Sequence, residues 1–174
     1  STGSCSSRNQ GGSRTRCCAS PGAGRCYTQT RARAGGRRPQ PPEAVWLVVR
    51  DLAALKGTWP DLTEATRGAD SVGREIWTEK VDGFDMRLLV TESTPVNRCV
   101  TQIQSPPGAV FGGRWIYVLA PAGSGTTVTV TEEGWVTNPL YRLMAKLGGQ
   151  HRSIDGYLAA LGQHFGQTVK PEHR

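Results

Sequence analysis

Between Leu62 and Val136 the chain repeats with a period of two, and directly afterwards the period becomes that of a helix. Met86, Leu88 and Val90 alternate with Arg87, Leu89 and Thr91, and Val128 and Val130 alternate with Thr127, Thr129 and Thr131. Such alternation describes a half-buried antiparallel sheet. Turn residues recur at Gly68-Ala69-Asp70, Asp82-Gly83, Pro95-Val96-Asn97, Pro106-Pro107-Gly108 and Gly123-Ser124-Gly125, which divides the stretch into about six strands of ordinary length. Turns this short join strands that are neighbours in the sheet. Asn138 then caps a helix with Pro139 at its first position, and Leu140, Leu143, Met144, Leu147, His151, Ile154, Leu158, Leu161 and Phe165 follow at helical steps. The Gly148-Gly149 pair costs that helix about 2 kcal/mol relative to two alanines, so the helix kinks there or something approaches its backbone closely. A sheet of this kind under one amphipathic helix is an α+β architecture.

Upstream, Pro41, Pro42 and Glu43 suit the first turn of a helix, and Ala44 to Leu55 continues with apolar residues at helical spacing, with Trp46, Val49 and Ala53 on one face. Gly57 ends it. Trp59-Pro60 turns the chain toward the sheet, because a residue before proline avoids the helical region.

The formal charge of +7 would suggest a polyanionic partner if it lay on the folded surface. It does not. Residues 1–40 hold eight arginines and no acid, which leaves residues 41–174 with slightly more acids than bases. Only Tyr27 accompanies those arginines as an aromatic, too little for a stacking platform, so nucleic-acid binding is not expected. Ser, Gly, Arg, Pro and Thr dominate this stretch, and the composition predicts disorder over residues 1–25, one domain over 26–168 and a short tail over 169–174. The leading stretch reads as a flexible tail or a misplaced start of translation rather than a transit segment, since it has no apolar face. No apolar run is long enough for a membrane helix, and a cytoplasmic monomer or weak dimer without stable membrane insertion is expected. Cys5, Cys17, Cys18 and Cys26 lack the paired spacing of a zinc site, so no metal is expected, and Cys99 in a strand reads as a small core residue.

Glu43-Ala44-Val45-Trp46, Arg50-Asp51-Leu52 and Trp59-Pro60 resemble the opening helices of START-like proteins of the SRPBCC superfamily. Gly112-Gly113-Arg114-Trp115 running to Pro121, Gly125 to Glu132, and the closing helix look like the polyketide cyclase/dehydrase and lipid-transport branch. The resemblance covers about residues 41–167. It implies a helix-grip fold: a curved antiparallel sheet of about seven strands, two short helices, and a long C-terminal helix closing an internal apolar cavity. The first strand would come from about Cys26 to Ala34, before the opening helix. The superfamily includes carriers, receptors and cyclases, so the fold does not fix the function.

The sequence has no phosphate-cradling glycine loop before a lysine, no His-Glu-x-x-His pair and no Gly-x-Ser-x-Gly elbow, and no cofactor is expected. The expected function is binding or carriage of an apolar or amphipathic small molecule. The alternative is a polyketide-type cyclase, aromatase or dehydratase. His151, at the centre of the helical stripe, is a core or partly exposed histidine satisfied by Asp155 or else a polar cavity residue. Glu132 continues the inward series Val128, Val130 unless Glu133-Gly134 forms a bulge, and with His151 it makes a candidate acid and base. Trp59, Trp77, Met86, Leu88, Trp115, Tyr117, Met144 and Leu147, together with His151, are the candidate ligand contacts.

Overall fold

Helix α1 (Pro42–Arg50) begins where the sequence places proline and an acid, and buries Val45, Trp46, Val48 and Val49. The computed structural model describes residues 16–18, 25–34, 39–137 and 151–173, with side chains in the last two ranges. Helix α1 does not run on to Leu55 as its periodicity suggests. Asp51 leaves the helical conformation, and its carboxylate accepts from the Ala53 N–H at 3.1 Å, starting a separate 3-10 turn over Leu52–Leu55. A local side-chain acceptor offers the backbone an alternative to the next helical bond. Gly57, at a positive φ of 93°, reverses the chain, and Trp59 follows it into the core.

Six strands follow as a meander: β3 (Leu62–Ala69), β4 (Glu75–Val81), β5 (Phe84–Thr94), β6 (Arg98–Ile103), β7 (Phe111–Ala122) and β8 (Gly125–Val136). Four of the predicted turns fall at or between the strand ends, while Gly68-Ala69 belongs to β3 and the turn into β4 is made by residues 70–74. The strand expected before the opening helix is β2 (Arg25–Ala34), antiparallel to β8 from Arg25↔Trp135 to Ala34↔Thr126. The sheet order is therefore β2-β8-β7-β6-β5-β4-β3. Two short pieces extend it at β2. They are β1 (Arg16–Cys18), inside the stretch for which composition predicts disorder, and β9 (Glu172–His173), inside the expected C-terminal tail. Backbone pairing with an existing edge orders residues that have no apolar periodicity of their own.

Helix α2 (Arg152–His164) starts after the glycine pair, with His151 as its N-cap residue. Residues 138–150, which include Met144, Leu147 and the glycine pair, lie outside the described residues. Ile154, Leu158 and Leu161 are buried as the stripe requires, and Tyr157 joins them on the same face. They pack with Val45, Val49, Leu55, Trp59, Tyr117, Leu119, Val128 and Val130 in one core between the helices and the concave side of the sheet. The chain ahead of α1 is fastened to the sheet by the buried Thr126, whose hydroxyl donates to the Gln40 carbonyl at 2.8 Å.

Past the end of α2 the chain folds back on the helix, and the Gln167 N–H donates to the Gly162 carbonyl at 2.9 Å. A Cβ on Gly162 would collide with the Val169 side chain and stand 3.1 Å from the Gln167 carbonyl oxygen. G162A should therefore lower the melting temperature by several degrees, since overpacking of about 1–3 kcal/mol outweighs the gain of about 1 kcal/mol in helix propensity. A thermal denaturation curve at or above that of the parent protein would show that the 166–169 segment does not pack on α2.

Candidate functional site

The register of the sheet aligns side chains in rows across its concave face. Thr101 on β6 pairs with Trp115 on β7, which pairs with Glu132 on β8, and one step along Cys99 pairs with Tyr117, which pairs with Val130. Glu79 on β4 pairs with Met86 on β5, and Leu88 pairs with Ile103. No register shift interrupts β7 and β8, so Glu133-Gly134 is not a bulge and Glu132 keeps the inward direction of Val128 and Val130. Opposite these rows stand Leu52 and Leu55 of the 3-10 turn, Trp59, and Ser153 and Tyr157 of α2. Together they enclose a cavity of about 140 Å³.

One wall is aromatic. Tyr157 meets Trp59 at 5.6 Å and Trp115 at 6.0 Å, both near-perpendicular, and Tyr117 at 5.4 Å between ring centroids. Trp59 and Trp115 lie 6.4 Å apart and Trp115 and Tyr117 6.1 Å. These separations are those of favourable edge-on and tilted aromatic pairs. The remaining wall is aliphatic, from Met86, Leu88, Ile103 and Val81.

Polar groups are few and deeply placed. Glu79 is 5% exposed, and burial raises its carboxyl to about 7. No hydrogen bond or ion pair to a described residue offsets that burial, and its electrostatic neighbours are the Tyr117 and Tyr157 hydroxyls. The Tyr157 hydroxyl is itself buried and has no hydrogen-bond partner among the described residues. Thr101 hydrogen-bonds Tyr117, and burial holds the Tyr117 hydroxyl well above the ordinary phenol range. Burial also raises Glu132, against the Trp115 indole N–H that donates to it. Among the described lining residues there is no Lys, Arg or His.

Of the expected contacts, Trp59, Met86, Leu88, Trp115 and Tyr117 converge on this cavity, and so does Glu132, the candidate acid or base. Trp77 does not. It packs with Leu52 and Leu88 in a second cluster, and its indole N–H donates at 3.0 Å to Glu75, which also accepts from Arg50 at 2.7 Å. His151 does not reach the cavity either. It stands in an outer cleft with Pro60, Asp61, Asp155 and His173, its ring 4.0 Å from that of His173, while His173 lies 3.4 Å from Asp155. The proposed pairing of His151 with Glu132 in one site is therefore not realised, because the helix begins at Arg152 and leaves His151 at its end rather than on its buried stripe. Burial lowers the His151 pKa, with His173 acting in the same direction and Asp155 against it. Cys99 is buried in the core, and burial raises its thiol to about 11.

Sequence reasoning missed Glu79, Thr101 and Tyr157. Signals for two of them were present: Trp77, Glu79 and Val81 alternate within β4, and Tyr157 sits three residues beyond Ile154. A charged residue in an inward position is discounted on the general rule that carboxylates stay wet.

No protein-family model and no curated protein sequence matches the chain. Solved structures do. A protein from Thermus thermophilus is 24% identical with a TM-score of 0.58, over 79% of this chain and 95% of that one. A START superfamily protein from Mycobacterium smegmatis is 18% identical with a TM-score of 0.60, over 79% and 94%. The di-domain ARO/CYC BexL from the BE-7585A biosynthetic pathway is 17% identical with a TM-score of 0.57, over 82% of this chain and 50% of that one. Identities this low establish a common fold.

Glu79 sets a pH dependence whose sign follows from its raised pKa. Between the ordinary value of 4.5 and about 7, the unfolded chain has lost a proton that the folded chain retains. Stability therefore falls as pH rises through that window, by about 3 kcal/mol at most. E79Q should remove this slope and raise the melting temperature near pH 8 while changing it little near pH 5. Parallel melting-temperature profiles for parent and E79Q across this range would refute the assignment.

Proposed function

We propose that this chain, which has the START-like helix-grip fold, binds a small apolar or amphipathic molecule non-covalently between the sheet and α2. The observation that carries the reading is the unfilled cavity itself. Protein interiors are packed to the density of organic crystals, and voids larger than a water are few. Here a void of about 140 Å³ persists among large aromatic side chains and shelters buried polar groups that find no partner among the described residues. Both features suit a site whose missing contacts come from a ligand.

Volume narrows the choice. An apolar cavity of about 150 Å³ holds one benzene ring, whereas drug-sized ligands occupy about 300–1,000 Å³. As enclosed by the described residues, the cavity fits a single-ring aromatic metabolite better than a long acyl chain or a fused polyketide. Apolar walls then discriminate by size at only about 1–3 kcal/mol per methylene.

A second reading is catalysis of a cyclisation or dehydration, favoured by one observation: Glu79 titrates near 7 inside the cavity, as a general acid or base should. Its partner would be Glu132, not His151. BexL bears an ARO/CYC name, which lends this reading the support of a shared fold. Under it, E79Q and E132Q each reduce turnover of a polyketide-like substrate by about 100-fold or more. Turnover indifferent to both substitutions would discard it.

For the binding reading, native mass spectrometry of the purified protein should show a co-purified small molecule, or a naphthalene probe should bind saturably and quench tryptophan fluorescence. M86W, which places a larger ring in the cavity, should weaken that binding by about tenfold or more while the protein stays folded by circular dichroism. Absence of any saturable binding, or equal binding by M86W, would overturn it.

A further inference from the structure

The polar equipment of the cavity is one-sided. Glu79 and Glu132 bring two carboxyls to it, and the described lining contains no cationic side chain. Glu79 and Tyr157 are each at least nine-tenths buried; burial alone acts on the Glu79 carboxyl, the Tyr157 hydroxyl has no hydrogen-bond partner among the described residues, and the two are close enough to influence each other electrostatically. Both can accept from an N–H donor. Beside them stand four aromatic rings within 6.4 Å of a neighbouring ring, whose π faces attract cations.

We infer that the cavity selects a small protonated amine, with its ammonium donating to the Glu79 carboxylate and the Tyr157 hydroxyl oxygen. Its apolar body lies against Met86, Leu88 and Ile103. This inference rests on the cavity being a ligand site. The same chemistry disfavours an anionic ligand, since a third carboxyl would be desolvated beside two others with no counter-charge among the described lining residues. A neutral ligand would leave Glu79 with its desolvation unrelieved. An ammonium relieves it, because an opposite charge within about 4–6 Å favours the ionised carboxyl. For a fold that needed only packing, an apolar side chain at position 79 would serve better, since a buried carboxylate without a partner weakens the folded state.

The groups facing Glu79 decide what binding does to its proton. From β7 and α2 these are the Tyr117 and Tyr157 hydroxyls, and the other described polar groups lining the same cavity are Thr101 of β6, Glu132 of β8 and Ser153 of α2. None of these described groups supplies positive charge to Glu79, and an ammonium in the cavity does. Near neutral pH Glu79 is partly protonated, and an amine must expel that proton into solvent on binding.

The test is isothermal titration of the whole protein with benzylamine, benzyl alcohol and benzoate, which share one ring and differ in charge. Near pH 8 benzylamine should bind about tenfold or more tightly than benzyl alcohol, and benzoate should not saturate. Near pH 5.5 the amine affinity should drop by about tenfold as Glu79 takes up its proton, with proton release near pH 7 visible as a dependence of the heat on buffer ionisation. E79Q should bring amine and alcohol to comparable affinity. Benzyl alcohol or benzoate binding as well as the amine, or an amine preference untouched in E79Q, would overturn the selectivity while leaving the cavity a ligand site. Saturable binding by none of the three would overturn both. The proton-release measurement uses the parent protein alone, so the inference stays falsifiable if E79Q does not fold.

Discussion

The structure depends on four aromatic side chains contributed by three separate parts of the chain. Tyr157 from α2 meets Trp59 from the turn before β3, and both meet Trp115, while Tyr117 completes the group from the same strand as Trp115. Each pair is worth about 0.5–1.5 kcal/mol beyond the area it buries. Without them, the described part of the helix would meet the core through aliphatic side chains such as Ile154, Leu158, Ala160 and Leu161. Rigid rings spaced 5.4 to 6.4 Å apart also hold the surfaces open, since they cannot collapse into a void as flexible side chains can. The contacts that fasten α2 thus also define the cavity wall.

Trp59 has two sides. It borders the inner cavity, and it also borders the outer cleft that holds His151, Asp155 and His173. Gly156 faces its indole nitrogen, and a Cβ there would stand 3.1 Å from that nitrogen. The helix gives up a better helix former at this position, and the tryptophan lies close against its backbone. The two histidines are thereby kept on the far side of an aromatic partition from Glu79 and Glu132. No histidine is among the described residues that line the cavity.

A third arrangement fixes the opening helices to the sheet. Glu75 accepts from Arg50 at the end of α1, from Arg67 on β3 and from the indole of Trp77. The hydrogen bonds hold its pKa below the ordinary value against the opposing effect of burial. Glu79, four residues along the same strand and on the same face as Trp77, has no such partners among the described residues and shifts the opposite way. Two carboxyls on one strand thus behave oppositely: one is a structural anchor and the other a poised acid, and the difference lies in what faces each.

The alternating residues of Leu62 to Val136, the turn-forming residues between the strands and the buried stripe of Ile154, Leu158 and Leu161 were determined by the sequence alone, whereas the inward direction of Glu132 was settled by the unbroken β7–β8 register. Period and turn chemistry are properties of neighbouring residues. The end of α1 at Arg50, the exclusion of Trp77 from the cavity, the separation of His151 from Glu132, and the isolation of Glu79 beside Tyr157 were decided by tertiary structure. Periodicity says which face of an element a side chain occupies. It does not say what stands opposite, and desolvation, pairing and cavity shape are properties of the opposing surface.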